Sequence, residues 1–517
     1  MANVLFLTVL IPVIAALLVL FLSSRAQAVI KGVGLLGALI PALFALVAYI
    51  EFHRGGVTTG LQYPFAVTWL TVPNAWLNMP LNIQLAFGAD GISLPLVLLT
   101  GVVSVLAAIR SFKIEWRVKA HYFWQMLLVA GLYGVFAASD LFTFFFFLEW
   151  TLVACYFLIG IWGNERRHYA ATKFLIYRGI ASVVLLAGFI GLAYEYAAQA
   201  LTASSIIYFP YAPHLFTLSI GQLLDEASRF SLPSTVQGPL FLVFLLAVLI
   251  EEAFVPFHTW LPDTHEQSDT STNMLIGGVL MKVGLYVLLR FAVEMLPEGL
   301  AKYGMLVGVL GVISILYGAF AAIAQKDWRR LIAFSNISHM GLVLLAIASM
   351  NVIGLQGAVF MLVSSGLLTA LLFYTVGAQA ERTKSFTFST LGGLSKSLPV
   401  ISGVLLVAAL GSVGLPGLSG FISEFSLFVG SFAVFPWLSA IATLGMIFAA
   451  LYLLYAMQRT TFGPQRVEYD GLVDARASEW VPLVVLVALV VWIGVYPAVL
   501  GDVVHGTVQA IAARIGG

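Results

Sequence analysis

Residues 249–267 read LIEEAFVPFHTWLPDTHEQ, and this stretch places two adjacent glutamates and a proline inside an apolar run that reaches back to Pro239. A carboxylate in hydrocarbon costs several kcal/mol unless it is paired, protonated or faces a polar cavity. A proline inside a helix removes a backbone hydrogen bond and breaks or kinks the helix. The stretch therefore predicts an interrupted membrane helix that carries buried acids with a function.

The composition agrees with a membrane protein. Of 517 residues, 61% are hydrophobic and only 9% are charged, whereas soluble domains contain roughly 25% charged residues. The net charge of +1 and the absence of Lys/Arg-rich runs exclude a nucleic-acid partner. The single cysteine, Cys155, cannot form a disulfide framework, a CxxC pair or an iron–sulfur ligand set within this chain. We therefore expect no redox cofactor in this chain.

The apolar runs predict an all-α polytopic protein. With about 20 residues for each crossing, we expect about fourteen transmembrane helices, named TM1 to TM14. Long connections at 51–88 and 195–238 are predicted to lie outside the membrane. Positive charges fall on alternate connections, which places the odd-numbered connections in the cytoplasm and both termini on the opposite side. The helices are predicted to begin near residues 4, 30, 89, 120, 141, 171, 239, 274, 303, 331, 354, 400, 437 and 480.

A weak internal repeat relates TM4–TM8 to TM9–TM13. Pro256 interrupts TM7, and GLPGLSG at 414–420 interrupts TM12 at the corresponding place. Such paired interruptions are typical of inverted-repeat transport proteins, whose ion sites lie at broken helices near the bilayer midplane. Because Pro416 has no N–H, the carbonyl of Ser412 needs another partner. The predicted organisation is TM1–TM3 with a long loop at 1–119, repeats at 120–300 and 301–460, and a C-terminal TM14 at 461–517.

Four ionisable residues lie deep inside predicted helices. Glu149 follows a run of aromatic residues, Lys282 lies within LIGGVLMKVGLYVLLRF, His339 lies mid-helix in FSNISHMG, and Glu424 follows the TM12 break. Acids, a lysine and a histidine on successive helices, joined by water, are the components of a proton path through a membrane. No Ser-His-Asp arrangement, P-loop or HExxH motif is present. Catalysis of the kind found in soluble enzymes is therefore not supported.

Other charged residues leave alternatives open. Arg178 in TM6 either reaches the cytoplasmic face or is the counter-ion of Glu149 or Glu251. Arg290 is expected to be an interfacial anchor or a fixed counter-charge, with direct involvement in proton transfer as the alternative. His258 and His265 either have a structural role or take up protons. Glu251 and His258, seven residues apart, are expected to share a helix face, and Glu252 is expected to point about 100° away.

Five motifs resemble the antiporter-like NuoM/NdhD subunits (mitochondrial ND-four type) of respiratory complex I and its photosynthetic relatives. The resemblance covers nearly the whole chain and implies fourteen helices in two inverted five-helix repeats. It also implies proton movement in the membrane while a peripheral arm passes electrons to quinone. The motifs are PFHTWLPDTH, GGVLMKVGLYVLLRF, QKDWRRLIAFSNISHMGLVLL, GLPGLSGFISEF and LYLLYAMQRTTFGP.

The resemblance assigns site residues and also shows departures. The family's TM5 glutamate falls on Glu149, its TM8 lysine on Lys282, its TM10 histidine on His339 and its TM12 glutamate on Glu424. The TM7 lysine does not carry over, because this chain has Glu251 there. Ser365 replaces a second histidine in TM11, and Arg178 stands where threonine is usual. Two carboxylates facing each other would repel, which suggests that the family's Glu–Lys ion pair has moved to Glu251 and Arg178.

The expected function is therefore proton translocation in the membrane arm of an NADH- or ferredoxin-dependent quinone oxidoreductase. Glu149, Glu251, Arg178, His258, Lys282, His339 and Glu424 are the predicted site residues. The alternatives are an Mrp-type cation/proton antiporter, an inorganic-carbon-uptake subunit, or a scaffold that does not pump because the TM7 lysine is missing. No long lateral helix follows TM14, which favours the NuoM-type position. NuoL-like and NuoN-like neighbours and bound lipids are expected, with quinone, FMN and iron–sulfur clusters in other subunits. The expected location is a bacterial plasma membrane or a thylakoid-like membrane.

Overall fold

The computed structural model describes residues 3–55, 60–76, 79–206, 217–229 and 231–515. Within these ranges, 13 helices are long and apolar enough to cross a membrane, and two shorter apolar helices form TM12. The prediction of an all-α polytopic membrane protein is confirmed. The uninterrupted helices are TM1 Val4–Phe21, TM2 Gln27–Arg54, TM3 Ser93–Arg110, TM4 Val118–Ala137, TM5 Leu141–Trp162, TM6 Arg167–Ile206, TM9 Pro297–Ile323, TM10 Trp328–Ala348, TM11 Val352–Thr383, TM13 Pro436–Thr460 and TM14 Ala477–Val495.

Three helices contain irregular backbone. TM7 consists of Ser234–Glu251 and Trp260–Gln267, with a short 3-10 turn before the second part. TM12 consists of Pro399–Ser412 and Ser419–Val434. TM8, which we expected to be regular, contains four parts: Thr270–Gly278, a 3-10 turn Leu280–Lys282, a short α-helix Val283–Val287 and a π-helix Leu288–Val293. Turns of these two types are frequent at functional sites, and Lys282 ends one of them.

The two long connections contain ordered elements. The first holds an antiparallel hairpin of β1 Gln62–Trp76 and β2 Met79–Ala89, in which Phe65 lies opposite Phe87. In the second, TM6 continues to Ile206, so the predicted end of this helix before residue 195 was too early. Residues 207–216 of that connection lie outside the described ranges. The connection also contains the amphipathic helix Ile220–Arg229, which buries Leu223 and Leu224.

A second helix, Ala498–Ile515, follows TM14, whereas the sequence predicted one helix after residue 461. Its apolar face, including Val504 and Val508, is buried. Its polar groups contact the beginning of TM11 and the end of TM8. His505 Nδ1 lies 2.7 Å from Gln356 Nε2, and Arg514 Nη1 lies 3.6 Å from Glu294 Oε1. The helix therefore packs against both halves of the helical core.

TM9 and TM10 approach each other closely at two glycines. A Cβ atom added at Gly341 would lie 2.7 Å from the Gly311 carbonyl oxygen and 2.9 Å from the Ile315 backbone nitrogen. Small residues permit such close backbone contact between membrane helices. The absence of a side chain at Gly341 is therefore a requirement of helix packing.

Gly341→Ala is expected to lower the unfolding free energy by about 1–3 kcal/mol, because TM9 and TM10 must move apart. Thermal unfolding of the detergent-purified protein would measure the change. Gly403→Ala is the matched control, since a Cβ at Gly403 meets no atom within 4 Å. Equal melting temperatures for the two variants would contradict the packing requirement.

Candidate proton-transfer site

A buried ion pair joins TM6 to the break in TM7. Arg178 Nη2 binds Glu251 Oε1, and the Arg178 and Glu251 side chains are 2% and 6% exposed. The Arg178 guanidinium also lies 5.6 Å from the ring centre of Phe174 and 5.9 Å from that of Trp260. Glu251 is the last residue of the first TM7 segment, so its backbone carbonyl is free to accept a hydrogen bond from Arg178 at 3.4 Å. Arg178 is thus a counter-ion at this depth and does not extend to the surface.

Glu149 lies near this pair without joining it. Its side chain is half-buried on TM5 and close enough to Glu251 for the two carboxylates to interact electrostatically. Glu149 Oε1 has no hydrogen-bond partner among the described residues. Of the two acids considered as partners of Arg178, the structure therefore selects Glu251.

Lys282 links the two halves of the chain. It is 0% exposed, and its Nζ donates to Asn336 Oδ1 of TM10 at 3.2 Å. It also interacts electrostatically with Glu252, the first residue after the first TM7 segment ends. The ammonium group therefore interacts with polar groups of both TM7 and TM10.

His339 occupies the position where the TM12 break exposes a carbonyl. Its Nε2 lies 3.1 Å from the carbonyl oxygen of Ser412, which accepts the hydrogen bond. This is the carbonyl that Pro416 leaves without its helical donor. The expectation that this carbonyl needs another partner is met by a side chain, which joins the broken helix to TM10.

A polar cavity of about 10 Å³ connects His339 with Glu424, which is about the volume that one water molecule requires. Ser335, Ser365 and Thr369 contribute polar groups to its wall. Glu424 is 3% exposed, and its Oε2 has no hydrogen-bond partner within the described part of the chain. The cavity therefore offers a place for a water molecule between the imidazole and the carboxyl group.

Gly414 shapes the position of Glu424. Its φ of +78° lies in the left-handed region that favours glycine. An added side chain would also collide with the Glu424 carboxyl group. The glycine of the GLPGLSG motif thus allows both the sharp break of TM12 and the placement of its acid.

Comparison with known proteins decides the family. Residues 138–451 match the family described as NADH:quinone oxidoreductase/Mrp antiporter, TM. The chain belongs to this family. It is 34% identical to NAD(P)H-quinone oxidoreductase chain 4 1 of Synechococcus elongatus, over 98% of this chain and 91% of the relative. The match shows an antiporter-like subunit of the NuoM/NdhD type, an integral membrane protein of bacterial or thylakoid membranes.

Two solved structures share the fold of this antiporter-like subunit. A chain of respiratory complex I from Thermus thermophilus with bound NADH has a TM-score of 0.83 and 30% identity, covering 99% of this chain and 100% of that one. A chain of the Mrp complex from Dietzia sp. has a TM-score of 0.77 at 20% identity, covering 99% of each chain. The second likeness concerns the fold alone. Both structures are multisubunit membrane complexes, and the antiporter-like subunit is a component of such a complex.

The predicted site residue His258 of the antiporter-like subunit has a hydrogen-bond partner outside the series of Glu251, Lys282, His339 and Glu424. His258 Nε2 lies 3.1 Å from Tyr317 Oη of TM9. The idea that His258 and Glu251 share a helix face was wrong, because the helix ends at Glu251 and the chain changes direction before His258. His265 packs on Phe373, with its Nδ1 2.7 Å from Asn273 Oδ1.

Arg290 is a fixed counter-charge at the end of TM8. It binds Asp90 Oδ2 at 2.5 Å and Glu294 Oε2 at 2.9 Å. Burial alone would raise the pKa of Asp90, but the ion pair with Arg290 lowers it overall. Asp90 was not predicted to belong to the site, although an acid directly before a membrane helix was visible in the sequence.

Sequence reasoning also missed the contacts of Glu252 and Asn336. Glu252 was visible as a buried acid, and Asn336 as a polar residue one turn before His339. Their proximity to Lys282 could not be read from helix spacing, since it arises between helices. Within the described residues, no group of three or more His, Cys, Asp or Glu side chains could hold a metal ion.

Proposed function

We propose that this chain translocates protons in the membrane arm of an NADH- or ferredoxin-dependent quinone oxidoreductase. The observation that carries the proposal is the series of buried ionisable groups that crosses both halves of the chain, from Glu251 and Arg178 through Lys282 and His339 to Glu424. Such groups are rare inside membranes and mark ion pathways. The relatives named as quinone oxidoreductase subunits support the same reaction.

The series suggests how redox energy reaches the protons. A charge change at the quinone end would first act on Glu149 and the Arg178–Glu251 pair. Lys282 would then exchange its proton between the TM7 and TM10 sides, and His339 would pass it through the polar cavity to Glu424. Lys282 donates to Asn336, which lies three residues before His339 on TM10, and His339 and Glu424 line one cavity with room for a water molecule.

The domain organisation that we propose is two inverted five-helix repeats at 120–300 and 301–460. The interrupted helices TM7 and TM12 occupy corresponding places in these segments. Lys282 belongs to the first segment, and its hydrogen-bond acceptor Asn336 to the second. The proton path would therefore cross from one repeat to the other at Lys282.

NuoL-like and NuoN-like subunits are the proposed neighbours, with quinone, FMN and iron–sulfur clusters bound by other subunits. Lipids are proposed to fill gaps between the helices. A cavity of about 450 Å³ supports this, since it is walled mainly by apolar residues of TM2, TM3, TM11 and TM14. Arg54 and His53 lie at this cavity and match the charge of an anionic headgroup.

Purification of the intact complex through an affinity tag on this chain tests the proposed function. We expect co-purifying chains that carry iron–sulfur signals in electron paramagnetic resonance. We also expect quinone-dependent proton uptake into liposomes in sodium-free buffer. Mrp-type partner subunits with no iron–sulfur signal, or transport that requires sodium, would contradict the proposal and favour a cation/proton antiporter.

Ser365→Val is expected to slow proton transfer through this subunit by about tenfold or more, because it removes a hydroxyl and fills the cavity between His339 and Glu424. Proton translocation per electron in liposomes measures the effect. Ser365→Ala is the matched control, since it removes the hydroxyl but leaves room for water. If the valine variant pumped as well as the alanine variant, the cavity would not be part of the path.

A further inference from the structure

We infer that Glu252 is a proton-carrying residue that exchanges a proton with Lys282. This inference rests on the proposed function and adds to it an acid at a position that neither the family resemblance nor the sequence reasoning assigned. It also gives different roles to the two adjacent glutamates of TM7. Glu251 forms the ion pair with Arg178, and Glu252 carries the proton.

The first support is the position of the Glu252 side chain. It is 0% exposed and lies where the TM7 helix ends. Its Oε1 accepts a hydrogen bond from the backbone N–H of Gly284 at 2.5 Å, which fixes one oxygen beside TM8. Its Oε2 has no hydrogen-bond partner among the residues that the structure describes. One oxygen is therefore anchored, and the other is free to gain or lose a proton.

The second support is the space made for this carboxyl group. A Cβ atom added at Gly284 would lie 2.6 Å from Glu252 Cγ and 3.0 Å from Glu252 Oε1. Gly284 has an ordinary helical backbone, so its missing side chain is required by the contact and not by the local conformation. The Glu252 carboxyl group therefore packs against TM8 at Gly284, two residues after Lys282.

The third support is the arrangement of charges. Arg178, Glu251 and Lys282 are the charged groups that interact with Glu252. Arg178 is already bound to Glu251, which leaves Lys282 as the cation available to Glu252. Lys282 Nζ also donates to Asn336, so the ammonium interacts with an acid at the TM7 break and with a neutral polar group on TM10.

The transfer conserves charge. A proton leaves the Lys282 ammonium for the Glu252 carboxylate, and a charged pair becomes a neutral amine and a neutral carboxylic acid. In a buried site both pairs of forms are accessible, because burial disfavours the separate charges. No electron and no other reactant is required. A change in the charge of the nearby Arg178–Glu251 pair would shift this balance and so load or unload Lys282.

Glu252→Gln in the assembled complex tests the inference, because glutamine can still accept the Gly284 hydrogen bond but cannot carry a proton. We expect proton translocation per electron to fall to the level of Lys282→Ala. The exposed glutamate Glu115, changed to glutamine, is the matched control. Infrared difference spectra on quinone reduction should contain a carboxylic-acid band that the Glu252→Gln variant lacks.

The outcomes separate the inference from the proposed function. Wild-type stoichiometry in Glu252→Gln, with a loss in Lys282→Ala, would overturn the role of Glu252 and leave the proposed function intact. Wild-type stoichiometry in Lys282→Ala would instead contradict the proposed function. If Glu252→Gln did not assemble, Gly284→Ala would decide, since it displaces the carboxyl group but keeps it titratable. Undiminished pumping by Gly284→Ala would then overturn the inference, with Gly403→Ala as its control.

Discussion

Arg178→Thr is expected to abolish proton translocation and to destabilise the subunit by about 3–5 kcal/mol, because it leaves the Glu251 carboxylate buried without its cation. Glu251→Lys should be similarly damaging, since it would place a second cation beside Arg178. Each single change breaks a pair whose side chains are 2% and 6% exposed. Complex assembly and proton translocation per electron in liposomes measure the two effects.

The double variant Arg178→Thr with Glu251→Lys is the decisive comparison. It introduces the residues that the resemblance to NuoM/NdhD subunits implies at these positions, and the new lysine can pair with Glu149, which lies within electrostatic range of position 251. We expect the double variant to recover most of the stability and pumping that each single variant loses. If it were no better than the single variants, the ion pair would not be a relocated form of the family's pair.

Glu424→Gln should lower proton transfer through this subunit by about 100-fold or more, since an amide of the same size cannot bind and release protons. The side chain lies at the end of the polar cavity, with one oxygen free of hydrogen bonds among the described residues. Because glutamine occupies the same space beside Gly414, we expect normal assembly and a stability change within about 1 kcal/mol. Proton translocation per electron is again the measurement.

Glu468→Gln is the control for the loss of a carboxylate. Glu468 is exposed and lies in the connection between TM13 and TM14, outside the transmembrane helices. This variant should pump like the wild type. A Glu424→Gln variant that kept the wild-type proton-to-electron ratio would exclude Glu424 as a proton carrier. Loss of assembly without a change in pumping by the remaining complex would point to a structural role.

Much of the fold could be predicted because hydropathy acts locally. Each apolar run is long enough to cross the membrane, and Pro256 and the GLPGLSG motif mark the two predicted interruptions through the hydrogen bonds that proline cannot make. The irregular backbone of TM8 carries no such marker. The helix 498–515 was missed because polar residues interrupt its apolar residues, and a search for continuous apolar runs does not detect an amphipathic helix.

The sequence by itself determined the class of protein and the inventory of buried ionisable residues, because the cost of placing charge in hydrocarbon makes every such residue visible. Only the tertiary structure decided the partners of these residues. Arg178 binds Glu251 and not Glu149. His258 forms a hydrogen bond with Tyr317, and His339 forms one with the Ser412 carbonyl. It also placed Glu252 within electrostatic range of Lys282. The physical reason is that these contacts form between helices, and at breaks where the backbone leaves the helical period, so spacing along the chain does not specify them.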